Sequence, residues 1–125
     1  MKQIPLPTDA ELEILDVLWE RGPSTVRDVL DRIRGLRNVG YTTVLKLLQI
    51  MLSKGLVARD DADRSHVYRA TLDRVATEER LLTELADKAF GGSLERLALR
   101  ALSGRPVEPG ELDELRRLLS EMETT

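Results

Sequence analysis

Apolar residues recur every three or four positions over most of this chain, the period of a helix with one buried face. Thr8-Asp-Ala-Glu11 matches a capping box, in which Thr8 and Glu11 satisfy each other's backbone at a helix start. Leu12, Leu15, Leu18 and Trp19 follow at helical spacing, and Gly22-Pro23 closes the first helix. Trp19 is assigned to the core. Ser24 is placed to cap a second helix with Val26, Val29, Leu30 and Ile33 inside, and Arg27, Asp28, Asp31 and Arg32 in water. Gly35-Leu-Arg-Asn-Val-Gly40 is a connector. In the third helix Thr42 is the expected N-cap, Val44, Leu47, Leu48, Met51 and Leu52 the buried stripe, and Gly55 the stop. Residues 1–7, with two prolines, read as an extended arm.

After Gly55 the pattern changes. Leu56-Val-Ala-Arg-Asp60 reads as a short strand, Asp61-Ala-Asp63 as turn residues, and Ser65-His-Val-Tyr-Arg-Ala70 as the return strand. His66 and Tyr68 fall on one strand face and are assigned packing or hydrogen-bonding roles, with no metal role. The helical period resumes over 73–92, with Leu81, Leu82, Leu85, Ala86, Ala89 and Phe90 apolar, until Gly91-Gly92. Ser93 caps a short helix whose strip is Leu94, Leu97, Ala98, Ala101 and Leu102. Ser103 to Gly110 is a loop. Leu112, Leu115, Leu119 and Met122 then alternate by three and four, a narrow seam suited to a partner helix.

The expected fold is mainly α with a small β-hairpin wing. Residues 1–72 form an N-terminal winged helix-turn-helix domain, and 73–125 a C-terminal helical dimerisation domain. The last third has too few residues to bury its leucines alone. Pairing with a second copy solves that, and it doubles the short site a single winged helix reads.

The third helix focuses the functional reading. Thr43, Lys46, Gln49 and Ser53 lie opposite its apolar stripe, a face of hydroxyls, one amide and one cation without an acid. Such groups suit base edges and phosphates. Charge is unevenly spread in the same sense. From Arg32 to Arg69 eight cations face three aspartates, a net of +5 inside a chain of −3. A basic segment in an acidic protein localises an anion-binding face. Arg59 and Arg64 flank the hairpin tip, although the three aspartates there repel phosphate.

Composition removes other classes. There is no cysteine and only one histidine, so disulfides, zinc fingers and multi-histidine metal sites are excluded, and no cofactor is expected. No apolar run reaches membrane-spanning length and no signal-peptide pattern opens the chain, so a cytoplasmic protein without membrane insertion is expected. No nucleophile–base constellation can be named, and the acids interleave with arginines as solvated pairs. That argues against an enzyme. The alternative to a DNA-binding repressor is a helical protein-interaction module without DNA binding, against which the +5 segment speaks.

Gly40-Tyr-Thr-Thr-Val-Leu-Lys-Leu-Leu-Gln, then Lys54-Gly-Leu-Val, then Arg64-Ser-His-Val-Tyr-Arg-Ala, resembles the BlaI/MecI family of penicillinase repressors. Glu11-Leu-Glu-Ile-Leu-Asp-Val-Leu-Trp and Phe90-Gly-Gly-Ser93 fit the same family. The resemblance implies a dimer on a palindromic operator that blocks transcription. It also implies a membrane sensor-protease pathway that ends in cleavage within the dimerisation domain. Thr42, Thr43 and Lys46 match recognition-helix positions that face DNA, and Arg59 and Arg64 match the wing. The full candidate DNA-binding set is Tyr41, Thr42, Thr43, Lys46, Gln49, Arg59 and Arg64. The candidate dimerisation set is Leu94, Leu97, Ala101, Leu102, Leu112, Leu115, Leu119 and Met122. Two departures stand out. The Asn-Phe bond cut in the best-known members is replaced by Arg100-Ala101. The cysteine motif of the copper-responsive branch is absent.

Overall fold

The structure is a computed structural model and describes residues 4–62 and 64–124. Residues 1–3 of the expected arm and the expected turn residue Asp63 lie outside the described residues. The chain divides into two compact units, the first ending at Leu81 and the second starting at Leu82.

In the first unit the order is α1 (Asp9–Arg21), α2 (Val26–Arg34), α3 (Tyr41–Lys54), β1 (Val57–Asp60) and β2 (Val67–Ala70). The capping box of α1 forms as read, Thr8 accepting from the Glu11 N–H and Glu11 from the Thr8 N–H. Two other caps differ from the sequence reading. α2 is capped by Thr25, boxed with Asp28. Ser24 is engaged elsewhere: its N–H and C=O pair with Tyr68 at 2.9 and 2.8 Å, and its hydroxyl donates to the Gly22 carbonyl. α3 is capped by the extended backbone of Gly40 without a side-chain hydrogen bond. Thr42 is therefore inside the first turn, with its side chain exposed, and does not cap the helix.

Gly55 ends α3 in the left-handed region at φ 84°, where a side chain would be strained. The chain turns there into β1, which pairs antiparallel with β2 in the register Val57↔Ala70 to Asp60↔Val67. Ser24 pairs with Tyr68 of β2 as an isolated antiparallel bridge.

The core is aliphatic. Ile14, Leu15, Val17 and Leu18 of α1 meet Val29, Leu30 and Ile33 of α2 and Val44, Leu48 and Met51 of α3, closed by Leu56, Val57 and Tyr68. Leu47 and Leu52, expected inside, are only partly buried. Ile14 and Val17 join α1's buried face because α1 packs against α2, α3 and β2 together. Trp19 is partly buried at the core edge, its indole N–H donating to the Leu72 carbonyl at 3.0 Å.

α4 (Arg74–Ala89) carries the division between the units. Its start is fixed within the first unit, where Arg74 meets Asp16 at 2.9 Å and Glu20 at 2.8 Å. Gly91 and Gly92, both at positive φ, end the helical run. α5 (Leu94–Ser103), capped by Ser93, and α6 (Pro109–Glu123) complete the second unit. Neither α5 nor α6 has a buried residue.

Candidate nucleic-acid interface

The candidate interface lies on the outer face of α3. Burial of Val44, Leu48 and Met51 fixes the rotation of the helix and turns Thr42, Thr43, Lys46, Gln49 and Ser53 to solvent. Tyr41 is 44% exposed, and Ile50 adds an apolar spot on the exposed side. The first turn of α3 holds no acid and no side-chain cap. Its leading N–H groups therefore have no side-chain cap, an arrangement that favours anions.

The wing treats its two arginines differently. Arg59 meets Asp61 at 2.8 Å, and Asp61 also receives His66 at 2.6 Å. A side-chain hydrogen bond with Tyr68, then the Asp61 carboxylate, hold the Arg59 guanidinium above its ordinary pKa. Desolvation pushes the Asp61 carboxyl up, but Arg59 and His66 outweigh it and hold the carboxyl below its ordinary value. The Arg59 charge is thus largely answered within the wing. Arg64 is exposed and, among the described residues, forms no ion pair.

One cleft joins these elements. Thr25, Val26 and Arg27 of the α2 start, Tyr41 and Leu45 of α3, and Arg64, Ser65, His66 and Tyr68 of the wing enclose about 300 Å³. Of the candidate DNA-binding residues it brings Tyr41 and Arg64 together. Thr42, Thr43, Lys46 and Gln49 share the neighbouring helix face, and Arg59 stands apart on Asp61. Arg27 was assigned to water by its position in the α2 pattern. Nothing in the local sequence links it to Tyr41, because the α2–α3 turn alone brings them near each other.

The candidate dimerisation residues lie on two exposed strips. Leu94 and Leu102 of α5, with Ala101, are exposed and Leu97 is half-buried. Leu112, Leu119 and Met122 of α6 are exposed and Leu115 is half-buried. Ala101, Leu102 and Leu115 line one cleft between the two helices. Leu99 and Leu118, not among the expected residues, are exposed as well. Among the described residues no cluster of acids and histidine could hold a metal, and no helix is long and apolar enough to cross a membrane.

Three helices followed by an antiparallel hairpin, with the third helix presenting a solvated face beside the hairpin tip, define a winged helix-turn-helix domain. The chain belongs to the penicillinase repressor family, whose sequence model matches residues 7–121. It is 34% identical to the transcriptional regulator BlaI of Mycobacterium tuberculosis over 116 residues, covering 92% of this chain and 83% of that protein. It is 25% identical to the penicillinase repressor of Bacillus licheniformis over 121 residues, covering 97% and 94%. Among solved structures it is similar to the monomeric form of Bacillus licheniformis BlaI in complex with the blaP half-operator. The TM-score is 0.51 at 27% identity, over 59% of this chain and 90% of that one. The DNA-binding domain of the repressor BlaI superposes with a TM-score of 0.52, at the same identity and coverage.

Proposed function

We propose that this chain is a transcriptional repressor that binds duplex DNA through α3 and the wing and acts as a homodimer on a palindromic operator. The acid-free outer face of α3, beside Arg64, which forms no ion pair among the described residues, carries the reading. Residues 1–72 serve as the DNA-binding domain and 73–125 as the dimerisation domain. Thr42 and Thr43 contact phosphate or a thymine methyl, Lys46 reaches a base edge or phosphate, and Tyr41 and Gln49 flank them. Arg64, and secondarily Arg59, touch the backbone. Two strips, Leu94, Leu97, Ala101 and Leu102, then Leu112, Leu115, Leu119 and Met122, meet across the two-fold axis.

Induction by proteolysis fits the same scheme. Arg100 and Ala101 are exposed on α5, and a cut between Ser93 and Ser103 would sever the α6 strip from the wing and release DNA. A membrane sensor-protease pathway would deliver such a cut to a cytoplasmic repressor.

Lys46→Ala tests the recognition helix. Losing a base contact costs about 1–3 kcal/mol, and one lysine belongs at the low end of that range. We expect a normally folded variant with weaker operator binding in a gel shift. Unchanged affinity would remove Lys46 from the interface. A salt series separates repressor from protein-interaction module, because only DNA binding shows an affinity that falls steeply with salt.

A further inference from the structure

Arg27 and Arg64, from α2 and the wing, line one cleft with Tyr41, Ser65 and His66. The Arg27 guanidinium carbon lies 5.7 Å from the Tyr41 ring centroid, within cation–π reach. That contact holds Arg27 beside the start of α3 and leaves its charge unneutralised. Four other cations of the unit are spent on carboxylates: Arg21 on Asp28, Arg37 on Glu13, Lys54 on Glu11 and Arg59 on Asp61. Among the described residues Arg27 and Arg64 form no ion pair, and no carboxylate lines their cleft. Two guanidinium groups on one open cleft repel each other, and an anion between them reverses the sign of the interaction. Guanidinium forks match phosphate oxygens in geometry as well as charge.

We propose that this cleft seats a single backbone phosphate of bound duplex DNA, with Arg27 and Arg64 as its cationic walls and Tyr41 as the residue that positions Arg27. The proposal rests on the DNA-binding reading above and adds a contact from α2. A phosphate held between α2 and the wing fixes how α3 enters the groove and carries no base information. Arg27 therefore sets register, and Lys46 and its neighbours read sequence.

The test uses the full chain and a duplex that the chain itself selects from a random-sequence pool. Backbone phosphates are replaced one at a time by neutral methylphosphonate. We expect one position per bound protomer where neutralisation weakens the wild type and weakens both Arg27→Gln and Arg64→Gln less. Arg27→Gln lowers the slope of log affinity against log salt by about one per bound protomer. Its loss of affinity from 50 to 200 mM salt is then smaller by about 3.5-fold per protomer. Tyr41→Leu weakens binding too, and combining it with Arg27→Gln adds nothing further. An unchanged salt slope in Arg27→Gln, or a loss confined to one base pair, overturns the phosphate seat while DNA binding stands. Additive losses from Tyr41→Leu and Arg27→Gln overturn the positioning role. If Arg27→Gln fails to fold, the Arg64→Gln scan still decides, because a phosphate effect as large as the wild type's in that variant overturns the shared seat. A wild-type chain that selects no duplex and shows no salt-dependent affinity refutes the DNA-binding reading itself, and the phosphate seat with it.

Discussion

Glu11 is 1% exposed yet charged, and two partners of its carboxylate make that tolerable. One carboxylate oxygen takes the Thr8 N–H at 2.9 Å, the other takes Lys54 Nζ at 2.8 Å, and Thr8 Oγ1 accepts from the Glu11 N–H. Burial pushes the carboxyl up, but Lys54 and Thr8 outweigh it and hold the carboxyl below the ordinary glutamate value. A group whose folded pKa is lowered stabilises the fold above its unfolded pKa, and that stability is lost as pH falls through the folded value. Lys54→Ala leaves a buried carboxylate short of its cation. A charged hydrogen bond contributes about 1.5–3 kcal/mol, so urea unfolding at about pH 7 should show a loss of that order. The gap to the wild type should narrow toward the acid side of the lowered Glu11 pKa, where both proteins carry a protonated Glu11. A gap of equal size there would mean that packing of the lysine stem, not charge, is responsible. The capping half of this cluster was legible in the sequence because Thr8 and Glu11 are three residues apart. The Lys54 half was not, because it spans 43 residues and exists only once α1 and α3 are packed. The same holds for Arg27 and Tyr41.

Helix starts show where local pattern and tertiary pairing compete. Ser24-Thr25 offers two hydroxyls for one cap, and propensity alone does not choose between them. The choice falls to Thr25 because β2 recruits the Ser24 backbone through Tyr68. The Thr25 N–H, followed by its hydroxyl and Arg21, lowers the Asp28 pKa against a smaller effect of desolvation. Thr25→Ala should cost about 1 kcal/mol in urea unfolding. Thr42→Ala should stay within about 0.5 kcal/mol, because its exposed hydroxyl caps nothing. A comparable loss for Thr42→Ala would mean that α3 starts later than Tyr41. At this scale the sequence was largely readable: helical period, glycine stops and a strand–turn–strand pattern located every helix and the hairpin. The finer misses lie in the packing. α1 is covered on several sides, so Ile14 and Val17 are buried in addition to the residues of a single stripe. α3 packs on α1, α2 and β1 with Val44, Leu48 and Met51 inside, and Leu47 and Leu52, at the margins of that stripe, stay partly wet.

The two units differ in how they could persist in water. The first has a closed aliphatic core around Leu15, Leu30 and Leu48. From Leu82 onward Ala86 is the only buried apolar residue among those described, and Leu119 and Met122 are 57% and 63% exposed. Helices that leave such strips in water are stable where a partner covers them, because apolar area removed from water is the main favourable term. In the proposed homodimer a second copy would be that partner, because the same patch on both subunits closes on itself and leaves no sticky end. The exposed strip of α6 was legible in its heptad-like seam, whereas the exposed Leu99 and Leu118 widen the strips beyond what spacing alone suggested. A leucine buried in a packed interface is worth roughly 2–5 kcal/mol against alanine. Leu115→Ala with Leu119→Ala should therefore move the protein from dimer toward monomer at micromolar concentration in sedimentation. Operator affinity should fall in parallel, because half-sites are then bound one at a time, while the wing unit keeps its melting transition. A wild type that sediments as a monomer at those concentrations would refute the interface. So would a double variant that stays dimeric with full operator affinity, and release of DNA by a cut in α5 would lose its physical basis along with it.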